Sequence, residues 1–423
     1  MKTWLMLLIL FISHNIAFAM NIEEAINMAI QNSDKIKSQT HLYSESQEIT
    51  KAKLSNLMPR IDFGYLFSYN IPNTSSTYFL NNFNIGAKYN IFNGFKDYYT
   101  IKDAKQEQRT QNYILQSNIA DVALETKIAY ISTLQAMDSL KIAQESKKLL
   151  EAQRQKAQQF FKQGFRAKNE VLSVEVLLAN ANIALKNAQL NLQYFSNTLS
   201  MLTNSPIKPE ALEDINTNTK ADFNQEDILS KVLSESPDYL HLKSLLQSAR
   251  LQINIAKGSF MPKIDIIGTK FWYINGGNIA RTSYFLQSQA RIVFEWNIFN
   301  GLNDHYNYES KKLHYLALQS KINQYKKDLK IQINKIINEF ELAKEQYSLA
   351  SISLQQAEEN YRIVNNRYTQ NIATYTELLN AQFLLTTAKT NITQSKYEIA
   401  ISRSKIDRLL NSNSIQSNHF LSE

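Results

Sequence analysis

Hydrophobic residues from position 318 to position 368 follow one another at intervals of three and four without a break. The series comprises Leu318, Ile322, Tyr325, Leu329, Ile333, Ile336, Phe340, Ala343, Tyr347, Ala350, Leu354, Ala357, Tyr361, Val364 and Tyr368. This spacing is typical of a coiled-coil seam. One extra four-residue step, between Leu329 and Ile333, is a stutter that locally unwinds the supercoil. The pattern predicts a long helix with one apolar side.

An earlier stretch has a related pattern. Apolar residues recur every seven positions at Leu115, Val122, Ala129, Ala136, Ala143, Leu150 and Ala157. A second row with the same seven-residue spacing, four positions after the first, includes Thr126, Thr133, Lys147 and Arg154. The stretch therefore predicts a second long helix, part of which faces water.

Four other segments change their period from 3.6 to two. Apolar residues alternate with mostly polar or small ones over 61–71, 83–91 and 286–298, and less regularly over 264–274. These segments are predicted to be strands with one apolar face. Their length suits a tilted strand that crosses a bilayer, and aromatics near their ends, such as Tyr69, Trp272, Tyr284, Trp296 and Phe299, fit interfacial girdles. An ordinary antiparallel sheet packed on a helix is the open alternative.

Glycine and proline mark the limits of these elements. The 423 residues contain nine Gly and six Pro, and neither type occurs within 95–163 or 302–370, two runs of 69 residues each. Both runs are predicted to be helical. At 1.5 Å per residue, each helix would be roughly 100 Å long.

The two runs belong to an internal duplication. The sequence Asn-Ile-Phe-Asn-Gly at 90–94 recurs 207 positions later at 297–301. Met-Pro-Arg-Ile-Asp at 58–62 recurs 203 positions later as Met-Pro-Lys-Ile-Asp at 261–265. The predicted organisation is a signal peptide (1–19), a first repeat (20–205), a linker (206–223), a second repeat (224–411) and a polar C-terminal tail (412–423). Each repeat is predicted to contain a short helix (34–57 or 238–258), two strands, a very long helix and a medium helix (167–203 or 374–411).

The N-terminus predicts the compartment. Lys2, the apolar stretch from Trp4 to Ile12 and the small residues Ala17 and Ala19 read as a cleavable signal peptide, so the mature chain is expected to begin at Met20. No later stretch reaches the eighteen or so apolar residues of a membrane helix. Cysteine is absent, which excludes disulfides and thiolate metal sites. The chain is expected to be exported.

Four strands cannot close a membrane barrel, because single-chain barrels start at about eight strands and an open edge is not tolerated in lipid. The chain is therefore expected to oligomerise. The predicted fold class is an α+β membrane protein. Three copies would form a 12-strand β-barrel, four strands from each protomer, continuous with a long coiled-coil α-helical barrel.

Other chemistry is not indicated. The six His have no ligand spacing, and the sequence contains no Walker loop, nucleophile elbow or glycine-rich dinucleotide turn. An enzyme, a cofactor and a metal site are therefore not expected. The net charge of +8 is spread along helix faces, which favours solvated walls over nucleic-acid binding. A positive lumen that prefers acidic cargo stays open as an alternative.

The duplicated motifs resemble the TolC family of outer-membrane efflux and type I secretion channels. The resemblance rests on the duplicated Pro-x-Ile, on the start of each long helix at Asn93, Gly94, Asn300 and Gly301, and on the element Arg367-Tyr368-x-x-Asn371-x-x-x-x-x-Glu377-Leu378-Leu379-x-Ala381-Gln382. It covers about residues 21–411. In that family a homotrimer joins an outer-membrane barrel to a periplasmic helical tube. A periplasmic adaptor and an inner-membrane pump of RND, ABC or MFS type dock at its tip.

The resemblance also implies a site. The periplasmic tip would lie at Gly164 and Asn371, where the turn needs a positive φ that Gly or Asn accepts. Glu170 and Glu377 would line the entrance and favour cations, and Asn380 replaces a second acid, so the acidic ring should be weaker. Tyr368 would bond to Glu170 when the entrance is shut. A latch arginine of some members falls on Ala373, which puts that link in doubt.

Two alternatives to this interpretation remain. Glu170 and Glu377 also fit plain carboxylates in the first turn of a helix, where the helix dipole stabilises them. The whole chain could instead be a periplasmic coiled-coil adaptor or scaffold without a membrane barrel. Adaptors usually carry one helical hairpin, whereas two hairpins and amphipathic strands are predicted here.

Overall fold

The computed structural model describes residues 20–71, 73, 77–215, 222–277, 283–370 and 372–410. The predicted signal peptide (1–19), the tip residue Asn371 and the predicted tail (412–423) lie outside the described residues, as does part of the predicted linker.

The same series of elements occurs twice along the chain. The first series is α1 (Ile22–Asn32), α2 (Asp34–Leu54), β1 (Arg60–Asn70), β2 (Tyr78–Asn93), α3 (Lys96–Lys162) and α4 (Lys168–Thr203). The second is α5 (Gln225–Glu235), α6 (Pro237–Lys257), β3 (Lys263–Gly277), β4 (Ser283–Glu295), α7 (Asn303–Thr369) and α8 (Tyr375–Leu409). The long, medium and second short helices lie where the sequence predicts them.

Each series begins with two short helices, and the prediction of a single one was wrong. A capping box starts α1: the Asn21 side chain accepts from the Glu24 backbone N–H at 2.8 Å, and the Glu24 carboxylate accepts from the Asn21 N–H at 3.1 Å. Asn-x-x-Glu before an apolar run is a readable start signal. In the second series, Pro237 at the first turn of α6 separates it from α5.

The four strands form one antiparallel sheet in the order β1-β2-β3-β4. Both hairpins have the same register once the repeat offsets are applied, because Arg60 lies opposite Lys88 and Lys263 lies opposite Glu295. The pairing of β2 with β3 joins the two repeats and contains a bulge between Asn90 and Phe92.

The apolar face of this sheet is exposed in the protomer. Ile61 and Phe63 are each 71% exposed, and Ile292 is 76% exposed. No helix covers these side chains in the described part of the chain. This exposure decides against the alternative of an ordinary sheet packed on a helix.

The seam of α7 is buried through most of its length, including Leu329, Ile333 and Phe340, although Tyr347 is partly exposed. Part of α3 is exposed, as the sequence predicts, but Thr126 and Thr133 of its polar row are fully buried. Their hydroxyls donate to the backbone oxygens four residues earlier, at 2.7 and 2.8 Å. A threonine that bonds to its own helix can be buried without another partner.

The chain folds into two compact units, and each takes segments from both repeats. Unit 1 lies within Met1–Asp34, Ile119–Ile228 and Gln332–Glu423, and unit 2 is Lys35–Asn118 with Leu229–Ile331. Unit 1 contains the turns after the two long helices, and unit 2 contains the sheet. Among the described residues, no helix combines the length and the apolar character needed to cross a membrane.

Unit 1 has a hydrophobic core around Tyr130, which is fully buried. The Tyr130 hydroxyl lies 2.7 Å from the backbone oxygen of Met20 and 2.9 Å from that of Glu213. Burial raises the pKa of this hydroxyl to about 12. The hydroxyl therefore stays neutral, and it links the segments at Met20 and Glu213 to α3.

Candidate functional site at the turns between long and medium helices

The turn between α3 and α4 is built around Gly164. This residue has φ +75°, and no described atom lies within 4 Å of the position where a Cβ would stand. The Gly164 N–H donates to Phe161 O at 3.0 Å and the Phe165 N–H donates to Phe160 O at 2.9 Å, which closes the end of α3. Glycine is therefore needed here for its backbone conformation, since space is not limiting.

The turn between α7 and α8 ends in a capping box. The Thr374 hydroxyl accepts from the Glu377 N–H at 3.2 Å, and the Glu377 carboxylate accepts from the Thr374 N–H at 2.6 Å. These bonds satisfy two backbone donors at the start of α8. The predicted turn residue Asn371 lies outside the described residues.

Glu377 and Glu170 occupy equivalent positions in the two repeats but have different surroundings. Glu377 is exposed, and the bonds that it accepts from the Thr374 backbone and hydroxyl lower the pKa of its carboxyl. The predicted neighbour Asn380 is also exposed. At the start of α8, Glu377 therefore provides a negative charge that faces solvent and is held in place by the capping box.

The side chain of Glu170, in contrast, is 17% exposed. Ala167, the residue before α4, cannot cap this helix with its side chain. One carboxylate oxygen of Glu170 lies 3.6 Å from the Arg166 guanidinium, and the other is buried without a hydrogen-bond partner among the described residues. Glu170 therefore differs from a plain first-turn carboxylate, which would point to water.

Arg166 extends from the first turn to the second. Its Nη2 donates to the backbone oxygen of Ala373 at 3.4 Å, and its guanidinium carbon lies 5.5 Å from the centre of the Tyr368 ring. The family resemblance aligned a latch arginine with Ala373 and so predicted no arginine there, and Arg166 was not predicted. Residue 166 is the first-repeat counterpart of residue 373. The arginine is therefore carried by the first hairpin, and its guanidinium reaches the backbone of Ala373 in the second.

Tyr368 is 2% exposed and belongs to a hydrophobic cluster that joins both hairpins. Its ring contacts Phe160 and Tyr375, at centroid distances of 6.3 and 6.2 Å. Burial raises the pKa of the Tyr368 hydroxyl, and the nearby Glu170 charge raises it further. In the described part of the protomer no hydrogen bond joins Tyr368 to Glu170.

Tyr375 is a second residue that sequence reasoning missed. It is buried, its hydroxyl has no hydrogen-bond partner in the described protomer, and burial is the largest cause that raises its pKa. The first-repeat counterpart is Lys168, so the duplication gave no signal for a tyrosine here. The cluster thus contains two orphan polar groups, on Glu170 and Tyr375, beside one arginine.

The predicted junction residues start both long helices in the same way. Gly94 and Gly301 have φ +71° and +72°. Asn93 donates to Asp97 and Asn300 donates to Asp304, each at 2.6 Å, and each Asn oxygen accepts from the backbone N–H of the same aspartate. Asparagine followed by glycine therefore caps the helix and turns the chain out of the strand.

Two helical hairpins, a four-stranded sheet with an exposed apolar face and a cluster that joins the hairpin tips together define a class of outer-membrane channel proteins. The family model for outer membrane efflux proteins matches residues 25–205 and 228–412. The chain belongs to this family. Membership places it in the outer membrane and decides against a periplasmic adaptor without a barrel.

Solved structures share the fold over most of the chain. The CmeC outer membrane channel of Campylobacter jejuni is 17% identical, with a TM-score of 0.78 over 95% of this chain and 88% of that one. The outer membrane protein VceC of Vibrio cholerae is 13% identical, with a TM-score of 0.79 over 92% and 95%. The MtrE outer membrane channel of Neisseria gonorrhoeae is 16% identical, with a TM-score of 0.77 over 92% and 88%. No curated protein sequence matches significantly.

Proposed function

We propose that this protein is the outer-membrane exit duct of a tripartite efflux or type I secretion system and that it works as a homotrimer. The observation that carries the proposal is the open sheet. Its edge strands β1 and β4 each pair on one side only among the described strands, and its aromatic face is exposed. Unpaired backbone groups cost several kcal/mol each in lipid, so the sheets of several copies must join. Three copies supply twelve strands.

The duct would conduct passively. The chain has no Walker loop to hydrolyse a nucleotide, so the energy must come from a partner. We propose that an inner-membrane pump of RND, ABC or MFS type supplies it and that a periplasmic adaptor docks at the hairpin tips. Crosslinking in cells, followed by identification of the copurifying proteins, tests both partners.

The tip cluster would act as the entrance. We propose that Arg166, Glu170 and Tyr368 hold the two hairpins together in the closed state, and that exposed Glu377 favours cations at the mouth. Asn380 lacks a charge, so the acidic ring is weak. Tyr368 and Glu170 are not bonded in the described protomer, so the bond proposed between them is one that forms in the closed trimer. Tyr368→Phe removes the hydroxyl and keeps the ring, with an expected cost to the closed state of about 0.5 to 1.5 kcal/mol per bond lost. Open probability should rise in planar bilayers. A wild-type value would mean that the Tyr368 hydroxyl does not stabilise the closed state and would leave Arg166 as the contact that does.

The function is tested by fractionation and recording. We expect a heat-resistant and SDS-resistant trimer in the outer-membrane fraction, and purified trimer should form ion-conducting pores in planar bilayers. Recovery of the protein as a monomer in a soluble periplasmic extract would overturn the proposal.

A further inference from the structure

The two hairpins of the sheet are copies with one register. Shifting β1 by 203 positions and β2 by 207 converts each observed β1–β2 pair into the observed β3–β4 pair. The duplication is therefore accurate to a single residue in the strands. The pairing that joins the hairpins, β2 with β3, can then serve as a template for pairing at the outer edges.

The template contains a charge cluster around a buried aspartate. Asp265 on β3 is 2% exposed and lies opposite Asn90 on β2. It accepts from the Asn90 side chain at 2.7 Å, and the ammonium groups of Lys88 and Lys263 each lie 3.1 Å from its carboxylate. One aspartate thus links two strands through an amide and two cations.

We propose that β4 of one copy pairs with β1 of a second copy in the register equivalent to β2–β3. This inference rests on the proposed trimer and adds the atomic arrangement of its seam. Applying the two offsets to the template places Asp62 opposite Asn297, and Leu66 opposite Val293, of the neighbouring copy. The template bulge falls between Asn297 and Phe299.

The proposed register matches the two faces of the strands. On the apolar face it pairs Tyr65 with Phe294, Phe67 with Ile292 and Tyr69 with Ala290; on the other face it pairs Ser68 with Arg291 and Asn70 with Gln289. A slip of one residue would put every aromatic opposite the polar face. The agreement of the faces excludes slips by an odd number of residues.

The edges of the sheet differ where the template requires a neighbour. Strand β2 continues to Asn93 and pairs only with β3 beyond Lys88, whereas β4 ends at Glu295. At Gly94 an added Cβ would come within 2.3 Å of a backbone oxygen of Gly258, whereas no described atom lies within 4 Å of that position at the equivalent Gly301. The second copy of the same motif therefore has room for a neighbouring chain.

The chemistry of the seam would differ from that of its template in one respect. The counterpart of Lys88 is Glu295, while Arg60, Asp62 and Asn297 keep the types found at Lys263, Asp265 and Asn90. In the protomer Arg60 bonds to Asp62 at 2.7 Å, and both side chains are more than half exposed. In the seam Asp62 would therefore keep one cation, Arg60 of its own copy, and would have Glu295 of the neighbouring copy where the template has Lys88.

Cysteine crosslinking tests the register, because the natural chain has no cysteine. The in-register variant is Leu66→Cys with Val293→Cys. The matched controls combine Leu66→Cys with Arg291→Cys or with Glu295→Cys, which lie on the same face two residues away. Within one copy β1 and β4 are three strand spacings apart, about 14 Å, which is beyond the reach of a disulfide.

After oxidation of the outer-membrane fraction, we expect the in-register variant to run as a covalent trimer on non-reducing gels, with about tenfold less from either control. Phe67→Cys with Ile292→Cys tests the same register on the other face if the first variant assembles poorly. A control that crosslinks best, or intact unoxidised trimers in which neither in-register pair crosslinks, would overturn the register alone. Monomers in every unoxidised sample, wild type included, would overturn the proposed trimer itself.

Discussion

Replacement of Arg166 by glutamine tests the link between the two hairpin tips. Its guanidinium lies 3.6 Å from Glu170, 3.4 Å from the backbone oxygen of Ala373 and 5.5 Å from the centre of the Tyr368 ring. Glutamine keeps a similar stem and removes the charge. The closed state should therefore lose all three contacts and leave the Glu170 carboxylate without its cation.

The magnitude follows from the burial of the pair. The side chains of Arg166 and Glu170 are 19% and 17% exposed, so the pair is screened less than a surface ion pair. Loss of the charge next to a largely buried carboxylate costs about 1 to 2 kcal/mol, and loss of the cation–π contact adds about 0.5 to 1 kcal/mol. The total of roughly 1.5 to 3 kcal/mol per protomer corresponds to about a 10- to 150-fold shift toward the open state.

Single-channel recording in planar bilayers measures this shift as open probability. Arg166→Lys is the matched control, because it keeps the charge and loses the planar fork, and it should give an intermediate value. The double variant with Glu170→Gln should open less than the sum of the single effects predicts, since no buried carboxylate is then left unpaired. Wild-type gating by Arg166→Gln, or strictly additive effects in the double variant, would refute the reasoning.

Three further changes have measurable outcomes. Gly94→Ala should lower thermal stability by about 2 to 4 kcal/mol because its Cβ would meet a backbone oxygen at 2.3 Å, whereas Gly301→Ala should cost only about 1 to 2 kcal/mol of φ strain. Glu377→Gln should reduce cation preference in reversal-potential measurements and leave open probability unchanged. Because the pKa of Glu377 is lowered from 4.5, both the wild-type preference and the capping contribution to stability should persist above that pH and be lost as pH falls through the lowered pKa. Phe294→Arg should cost about 2 to 4 kcal/mol per protomer near the bilayer midplane and reduce the trimer yield in the outer-membrane fraction.

The long helices were predictable because two kinds of signal agree. Runs without Gly or Pro gave their limits, and the spacing of apolar residues gave the buried side of α7. The helices α1 and α5 were missed because each has only 11 residues and so a short series of apolar positions. The Asn21 capping box was available as a signal for α1. The burial of Thr126 and Thr133 was missed because a hydroxyl that bonds to its own helix makes a polar residue compatible with a core.

The tip cluster was only partly predictable. The duplication and the family resemblance pointed to Gly164, Glu170, Tyr368 and Glu377. They gave the two glutamates the same role and so implied equal surroundings. The structure separates them, since a capping threonine precedes Glu377 and Ala167 precedes α4. The contact from Arg166 to Ala373 spans 207 positions, and a single sequence shows no sign that a side chain reaches a backbone oxygen so far away.

The pairing of β2 with β3 also has a consequence for how the chain matures. The β1–β2 hairpin closes over a few residues, whereas the bond between Asn90 and Asp265 closes a loop of 175 positions that includes α3 and α4. Loops of this length form slowly, unless the intervening helices have already folded back on themselves. The first hairpin therefore emerges with two open edges and an apolar face, and it must wait for the second half of the chain. During that interval the nascent protein is at its most prone to aggregation, and a periplasmic chaperone that covers strand edges would protect it.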